Sequence, residues 1–405
     1  MDLAKRNQRS VHIWAVKALL LLVSYNVPEL NAKALPNCSY PAVYSFGDSL
    51  TDTGNSIAAF PDQFAQVELD PYGFEFPMHA ADRYSDGKLP IDYLEFGVRG
   101  RPNYPWLRSI AGDFEYGTNF ASAGGSSRNS TGWKPDHGFN TPFSLNAQVR
   151  WFERYTVRLL TYYYYKNSFG DSAVVQTTLP AENSLNQSLY MMYAGFQYYF
   201  FDLYEKKLTP GQGLDTVPDV VDAINTAIES LVGLYATEVL VVNLPPLGCI
   251  PSLLTLFSSQ NSDEYDTYGY LKNINLISTT HNKILQDTVT DLRAKFTNVT
   301  FYLGNLHDVY IDILKSPESY TCGYGGKYNF NMEVKCGETG EIDDKFVNLT
   351  SKNHTTAKKY LRFDGIHLSN TANKAIAMAF FGGKHITPAG GFNCTPDYSR
   401  FDGRQ

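Results

Sequence analysis

Residues 43–55 of the chain read VYSFGDSLTDTGN, a short apolar run that stops in a small polar turn. The run at residues 42–46 is typical of a buried strand. In open α/β sheets, ligands bind beyond the carboxyl ends of the parallel strands, and this is where the hydroxyl of Ser49 falls. The simpler alternative is that Asp48 and Ser49 only cap the helix that follows.

The rest of the chain alternates between strand patterns and helix patterns. The expected strands lie at 189–193, 238–242 and 299–302, and the expected helices at 145–160, 217–235, 268–296 and 371–381. This alternation predicts an α/β fold with a mainly parallel sheet and helices on both faces. Residues 57–143 are poor in periodic pattern and rich in glycine, proline and aromatic residues, which predicts long loops beside the carboxyl edge.

A second polar motif, Asp364 and His367, lies near the other end of the chain. A serine hydroxyl attacks well only when an imidazole takes its proton and a carboxylate fixes the imidazole tautomer. Ser49, His367 and Asp364 supply these groups, so the sequence predicts a serine hydrolase whose fold brings both chain ends together. Taken alone, His367 is one of eight histidines, most of which are expected on the surface or in structural roles.

The composition narrows the class of protein. The 405 residues are 43% hydrophobic and 19% charged, which is enough apolar material for a large core. A net charge of −7 with interspersed signs and no basic stripe argues against nucleic acid or an anionic membrane as a partner. The chain has no phosphate-binding loop, no H-E-x-x-H and no G-x-S-x-G motif. The expected chemistry requires no metal or organic cofactor.

Five blocks, in this order, resemble the GDSL esterase/lipase family, the SGNH hydrolases, in its large secreted plant form. They are residues 46–50, 83–87, 117–122 and 245–251 and the pair Asp364 and His367. The resemblance implies a three-layer α/β/α sandwich with a flavodoxin-like sheet and a catalytic triad of Ser49, Asp364 and His367. For the block at 83–87 we expect a structured turn held by its arginine and its aspartate.

The same resemblance implies an oxyanion hole formed by the Ser49 amide, by Gly124 and by the side chain of Gln197. The family has a further block that reads Gly-x-Asn-Asp, and the aligned residues 195–198 here read GFQY. Gln197 keeps an amide donor but carries it one methylene further from the backbone. The alternative is that Gln197 only hydrogen-bonds a loop. Tyr198 replaces the acid, a change expected to affect loop anchoring or substrate fit.

The N-terminus has the pattern of a secretory signal peptide. Basic residues precede an apolar stretch at about 18–27, and residues 32–34 provide small residues for cleavage. We expect residues 1–34 to be removed and residues 35–405 to form one domain without a membrane segment, secreted to the cell wall or apoplast. Sequons for N-glycosylation agree with this route and lie at Asn37, Asn129, Asn186, Asn298, Asn348, Asn353 and Asn393.

An oxidising compartment favours disulfides, and five cysteines leave one thiol over. Relatives in the family have a cysteine where Thr321 stands, which implies that Cys249 is the odd thiol here. Two other cysteines flank a glycine-rich turn, and two fall at the sheet edge opposite the expected site. The expected pairs are Cys322 with Cys336 and Cys38 with Cys394.

Together these patterns predict a secreted serine esterase or lipase that acts on small esters, lipids or acylated carbohydrates. An acyltransferase would use the same site with an alcohol in place of water, and the sequence leaves this possibility open. A third possibility is a catalytically silent glycoprotein that binds a carbohydrate or ester ligand, for which the change at Gln197 is the only support. Fold alone supplies neither the acyl chain nor the alcohol half of the substrate.

Overall fold

In the computed structural model the strands form a central sheet and a separate hairpin. Their bounds are β1 Val43–Gly47, β2 Gly117–Asn119, β3 Leu189–Tyr193, β4 Glu238–Val242, β5 Thr300–Gly304, β6 Thr339–Ile342, β7 Lys345–Asn348 and β8 Ile386–Thr387. Within the described residues the sheet has six strands in the order β2-β1-β3-β4-β5-β8, and β6 pairs with β7. Strands β1 to β5 are parallel, and β8 runs antiparallel to β5. The order 2-1-3-4-5 is that of flavodoxin-like sheets, so the predicted fold class is confirmed.

The structure describes residues 40–70, 72–76, 81–99, 102–108, 112–129, 140–171, 178–315, 339–342, 345–348 and 364–392. All of them lie within the compact unit Pro36–Gln405. The predicted signal peptide, the cysteines other than Cys249, and the sequon residues Asn37, Asn353 and Asn393 lie outside the described residues.

The sheet is covered on both faces, which is why its strands read as continuous apolar runs. Every residue of β1 and β3 is buried, and only the first residue of β4 is partly exposed. The predictions at 189–193 and 238–242 match β3 and β4, and the other two predicted strands are displaced by one or two residues.

Two rows of helices pack against the sheet. One row is formed by α4, α7 and α9 and the other by α3, α10 and α11, since neighbours within each row contact one another. The helices are α1 Asn55–Ala59, α2 Pro61–Phe64, α3 Pro90–Arg99, α4 Leu145–Phe169, α5 Phe196–Phe200, α6 Pro210–Asp215, α7 Val217–Gly233, α8 Pro251–Leu256, α9 Lys272–Lys295, α10 Leu306–Lys315 and α11 Asn370–Phe381. Short 3₁₀ turns lie at Ala65–Glu68, Glu182–Gln187, Leu247–Cys249 and Ser262–Glu264, and a π turn at Phe201–Glu205.

The expectation that residues 57–143 form loops is wrong in part. This region holds α3 and β2 as well as α2 and most of α1. Helix α3 carries Asp92 and Glu95 on buried positions, so charges stand where apolar periodicity would be sought. Strand β2 has three residues, two of them polar, which is too short for an alternation pattern. Helix α4 also continues nine residues beyond the predicted end at residue 160.

None of the helices in the described part of the chain is both long enough and apolar enough to cross a membrane. The four long predicted helices correspond to α4, α7, α9 and α11.

Candidate active site

The turn after β1 places Ser49 at the carboxyl edge of the sheet. Gly47 ends the strand with φ 154°, and a Cβ there would lie 2.1 Å from the carbonyl oxygen of Tyr193 on the neighbouring strand β3. Only glycine fits this approach. The side chain of Gln148 then holds the turn, because Gly47 N–H donates to its Oε1 at 2.9 Å and its Nε2 donates to the Gly47 carbonyl at 2.8 Å.

Asp48 links the nucleophile turn to the segment that follows β3. Its Oδ1 accepts from Leu50 N–H at 3.2 Å, and its Oδ2 accepts from Gln197 N–H at 3.1 Å. Burial raises the pKa of Asp48 to about 6, against the opposing effects of these hydrogen bonds and the charge of His367. The nucleophile turn and residues 195–198 are therefore joined directly beside Ser49.

Asp52 joins the same turn to the segment that follows β2. Its Oδ1 accepts from Gly54 N–H at 2.8 Å and from Asn55 N–H at 2.7 Å. Its Oδ2 accepts from Ser56 N–H at 3.1 Å and from Ala123 N–H at 2.8 Å. Asp52 thus caps the first turn of α1 and fixes the loop that leads to Gly124.

Ser49, His367 and Asp364 meet in one line of hydrogen bonds. His367 Nε2 lies 2.9 Å from Ser49 Oγ, and His367 Nδ1 lies 2.8 Å from Asp364 Oδ2. All three residues are buried, with at most 5% of their surface exposed. The fold therefore brings the two ends of the chain together, as the order of the motifs predicts.

Asp364 accepts further hydrogen bonds within its own turn and from Tyr72. Its Oδ1 accepts from Ile366 N–H at 2.7 Å and from His367 N–H, and its Oδ2 accepts from the Tyr72 hydroxyl at 3.0 Å. Burial alone would raise the pKa of Asp364, but the charge of His367 and the hydrogen bonds from His367 and from Ile366 N–H outweigh it and lower the pKa to about 2. Asp364 is therefore ionised at neutral pH, with its carboxylate against the imidazole of His367.

Aromatic rings pack beside the imidazole. The ring of Tyr84 lies over that of His367, with centroids 4.6 Å apart. Tyr72 meets Tyr84 edge to face at 5.8 Å. Both tyrosines come from residues 57–143, the segment expected beside the carboxyl edge of the sheet, and Tyr84 belongs to the block at 83–87.

The block at 83–87 fixes the segment that carries His367, in a way that corrects the expected turn. Arg83 pairs with Asp92 on α3, with Nη2 at 2.6 Å and Nε at 2.8 Å from the carboxylate, and both side chains are buried. Asp86 does not pair with Arg83. Its Oδ1 instead accepts from Asn370 N–H at 2.6 Å, at the start of α11. A residue nine positions away replaces the expected partner, because α3 brings Asp92 against the turn.

The residues expected to form an oxyanion hole carry hydrogen-bond donors that have no partner among the described residues. Among the described residues, the backbone N–H groups of Ser49 and Gly124 and the side-chain amide of Gln197 have no hydrogen-bond partner. Gln197 is 6% exposed and lies at the start of α5, after Gly195 with its left-handed φ of 112°. The backbone of Gln197 is tied to the nucleophile turn through Asp48, and Ala123, which precedes Gly124, is tied to it through Asp52.

Tyr198 anchors a neighbouring loop. Its hydroxyl accepts from Arg128 Nη1 at 3.2 Å, and Arg128 also pairs with Asp219 at 3.0 Å.

Cys249 is buried in the fourth block, where its thiol donates to the Pro246 carbonyl at 2.9 Å. The expected pairs, Cys322 with Cys336 and Cys38 with Cys394, lie outside the described residues.

A mainly parallel sheet of flavodoxin order with a serine, a histidine and an aspartate in contact at its carboxyl edge is typical of a serine hydrolase with an α/β fold. Residues 43–380 match the GDSL-like lipase/acylhydrolase family, and the chain belongs to that family. The protein is accordingly a serine carboxylic-ester hydrolase of the esterase/lipase type, as the five sequence blocks predict.

Similar proteins extend over nearly the whole chain. A GDSL esterase/lipase of Arabidopsis thaliana is 31% identical over 390 residues, covering 92% of this chain and 95% of its own length. An esterase of Hevea brasiliensis is 29% identical and covers 85% of each chain. A protein of Arabidopsis thaliana named alpha-L-fucosidase 3 is also 29% identical, with 84% of this chain and 89% of its own length covered.

Proposed function

We propose that the protein is an exported esterase that hydrolyses carboxylic esters through an acyl-enzyme on Ser49. The observation that carries this proposal is the unbroken contact from Asp364 through His367 to Ser49 Oγ, with distances of 2.8 and 2.9 Å. His367 takes the hydroxyl proton as Oγ attacks the ester carbonyl carbon, and Asp364 stabilises the imidazolium that forms.

Collapse of the tetrahedral intermediate completes the first half of the reaction. The carbon–oxygen bond to the alcohol breaks, and His367 returns its proton to the departing alkoxide. In the second half His367 takes a proton from water, whose oxygen attacks the acyl carbon, and the acid leaves as the proton passes to Ser49 Oγ. In both halves the oxyanion would accept hydrogen bonds from Ser49 N–H, Gly124 N–H and the Gln197 amide.

The substrates we propose are small esters, lipids and acylated carbohydrates. The names of the relatives support the esterase assignment but give no acyl chain. The acyltransferase alternative uses the same acyl-enzyme with an alcohol as acceptor, and the ratio of hydrolysis to transfer in mixtures of water and alcohol would distinguish the two. The silent-binder alternative has less support, since the three reacting side chains are in contact.

Export and N-glycosylation form the second part of the proposal. The sequon residues Asn129, Asn186 and Asn298 are exposed, as attachment of a glycan requires. Protein recovered from the medium of a plant culture should begin near residue 35 and should lose mass on enzymatic deglycosylation. Retention inside the cell with residues 1–34 attached would contradict export.

Ester hydrolysis by purified variants tests the catalytic assignment. Chromogenic esters of graded chain length, acetylated sugars and phenolic esters would first identify a preferred substrate. Ser49→Ala and His367→Ala should each abolish its turnover, and Asp364→Asn should impair it severely by favouring the wrong imidazole tautomer. Ser45→Ala is the matched control, because Ser45 Oγ is buried in β1 without a partner among the described residues. Substantial turnover by Ser49→Ala would refute the proposal.

A further inference from the structure

Tyr72 reaches the catalytic carboxylate from a distant part of the sequence. Its hydroxyl donates to Asp364 Oδ2 at 3.0 Å, the same oxygen that lies 2.8 Å from His367 Nδ1. Tyr72 is 8% exposed, so this contact is largely shielded from water. Two donors therefore share one oxygen: the Nδ1–H of His367, whose Nε2 faces Ser49, and the hydroxyl of Tyr72.

The phenol of Tyr72 is held in place by its surroundings. Tyr72 and Tyr84 belong to a small apolar cluster, separate from the main core, with Ile57, Phe64, Val67 and Ala123. The ring of Tyr84 packs against both Tyr72 and His367. The Tyr84 hydroxyl instead accepts a hydrogen bond from Gln66 Nε2 at 2.9 Å. Within this cluster it is Tyr72 whose hydroxyl contacts the triad.

We propose that Tyr72 is a positioning residue, whose hydroxyl orients Asp364 and sets the pH below which His367 no longer serves as the base. This inference rests on the proposed function. A hydrogen bond to a carboxylate favours its ionised form and draws off part of its negative charge. Less charge then remains to hold a proton on the neighbouring imidazole. Tyr72 would thus keep His367 neutral, and able to accept the Ser49 proton, at lower pH.

Other polar groups also face the pair, and they stay constant in the test. From the nucleophile turn these are Ser49 and Asp48, and from the segment before α3 there is Tyr84, on which the charge of Asp52 also acts. The backbone N–H groups of Ile366 and His367 occupy the other carboxylate oxygen. Removing one hydroxyl at Tyr72 changes none of these contacts, so a shift in pH dependence can be assigned to it.

The test is the pH dependence of kcat/KM for a p-nitrophenyl ester in the full-length protein and in Tyr72→Phe. We expect the midpoint of the acidic limb to move to higher pH by about half a unit or more, because the carboxylate holds the imidazolium more strongly. Tyr93→Phe is the matched control. It removes a buried hydroxyl that donates to Asn370 Oδ1 at 2.7 Å, on the segment that carries His367, and should leave the midpoint unchanged.

Replacement of Tyr72 by 3-fluorotyrosine gives a second test that keeps the hydroxyl. The more acidic phenol is a stronger donor, so the midpoint should move to lower pH. It also covers the case in which Tyr72→Phe does not fold. An unchanged midpoint in either variant, or a shift in the opposite direction, would overturn the role of Tyr72 even where Ser49→Ala is inactive. Turnover that survives Ser49→Ala would refute the triad itself, so the two failures are distinguishable.

Discussion

The amide of Gln148 occupies both backbone groups of Gly47, two residues before the nucleophile. Gly47 N–H donates to Gln148 Oε1 at 2.9 Å, and Gln148 Nε2 donates to the Gly47 carbonyl at 2.8 Å. The same Nε2 also donates to the Phe143 carbonyl at 2.9 Å. A helix on one face of the sheet thereby fixes the backbone from which Ser49 projects.

Gln148→Met should destabilise the fold and reduce activity together. Methionine has a similar length but leaves the buried Gly47 N–H without its partner, at about 1–3 kcal/mol. It also removes the hydrogen bonds to the carbonyls of Gly47, which keeps a bond from Ser122 N–H, and of the partly buried Phe143, at about 0.5 kcal/mol each. We expect the free energy of unfolding in urea to fall by about 2–4 kcal/mol and kcat/KM to fall by about tenfold or more. Gln286→Met, at an exposed position on α9, is the control and should change neither. Unaltered stability in Gln148→Met would show that the amide is not needed to hold the turn.

Gln197→Ala tests the oxyanion hole. If its amide donates to the oxyanion mainly in the transition state, kcat should fall by about 10²-fold to 10³-fold with little change in KM. Steady-state kinetics with the preferred ester measures both constants. An unchanged kcat would mean that Gln197 has only a structural role, through the hydrogen bond of its backbone to Asp48.

Gln197→Asn separates two explanations for the longer side chain. A gain in activity would mean that the backbone at residues 195–198 is suited to the shorter amide of the family. A loss would mean that this segment has moved to suit glutamine. We expect a loss, since the Gln197 amide has no other partner among the described residues and is buried beside Asp48.

His281 should make the protein sensitive to acid. It is completely buried, its Nδ1 lies 2.9 Å from the Tyr199 hydroxyl, and burial lowers its pKa from 6.5 to about 3. Between these values the unfolded chain binds a proton that the folded protein does not. The contribution of His281 to stability is therefore complete above pH 6.5 and is lost as the pH falls towards 3.

His281→Phe should therefore flatten the decline of the unfolding temperature between pH 7 and pH 4, although it can lower stability at pH 7 by removing the hydrogen bond to Tyr199. Asp48 has the opposite sign, because burial raises its pKa to about 6 and its contribution is lost as the pH rises through that value. Thermal unfolding of the native protein and of His281→Phe between pH 7 and pH 4 measures this difference in the decline of the unfolding temperature. Parallel curves would contradict the assignment to His281.

Much of the fold could be predicted because buried parallel strands leave a local signal. Residues 189–193 and 238–242 are apolar at nearly every position, and both segments are strands with these bounds. Helix α3 was missed because Asp92 is stabilised in the interior by Arg83, and Glu95 by the backbone N–H of Asn103 at 2.7 Å. The sequence alone does not reveal such partners, because folding brings them into contact.

In the candidate site, too, some residues could be predicted from the sequence and others could not. Ser49, Asp364 and His367 stand in motifs whose spacing could be read directly, and the structure places them in contact. Gln148 and Tyr72 belong to no motif, and their partners lie 101 and 292 residues away. No local pattern connects residues so far apart, so these supporting contacts required the structure.

Covalent labelling by a fluorophosphonate tests the acyl-enzyme on Ser49 most directly. The reagent should add one group per protein, peptide mass spectrometry should place it on Ser49, and ester hydrolysis should decline in proportion to the labelled fraction. Ser49→Ala should remain unlabelled, and Ser45→Ala should react like the native protein. A label on another residue, or undiminished hydrolysis by protein fully labelled at Ser49, would contradict acyl transfer through this serine.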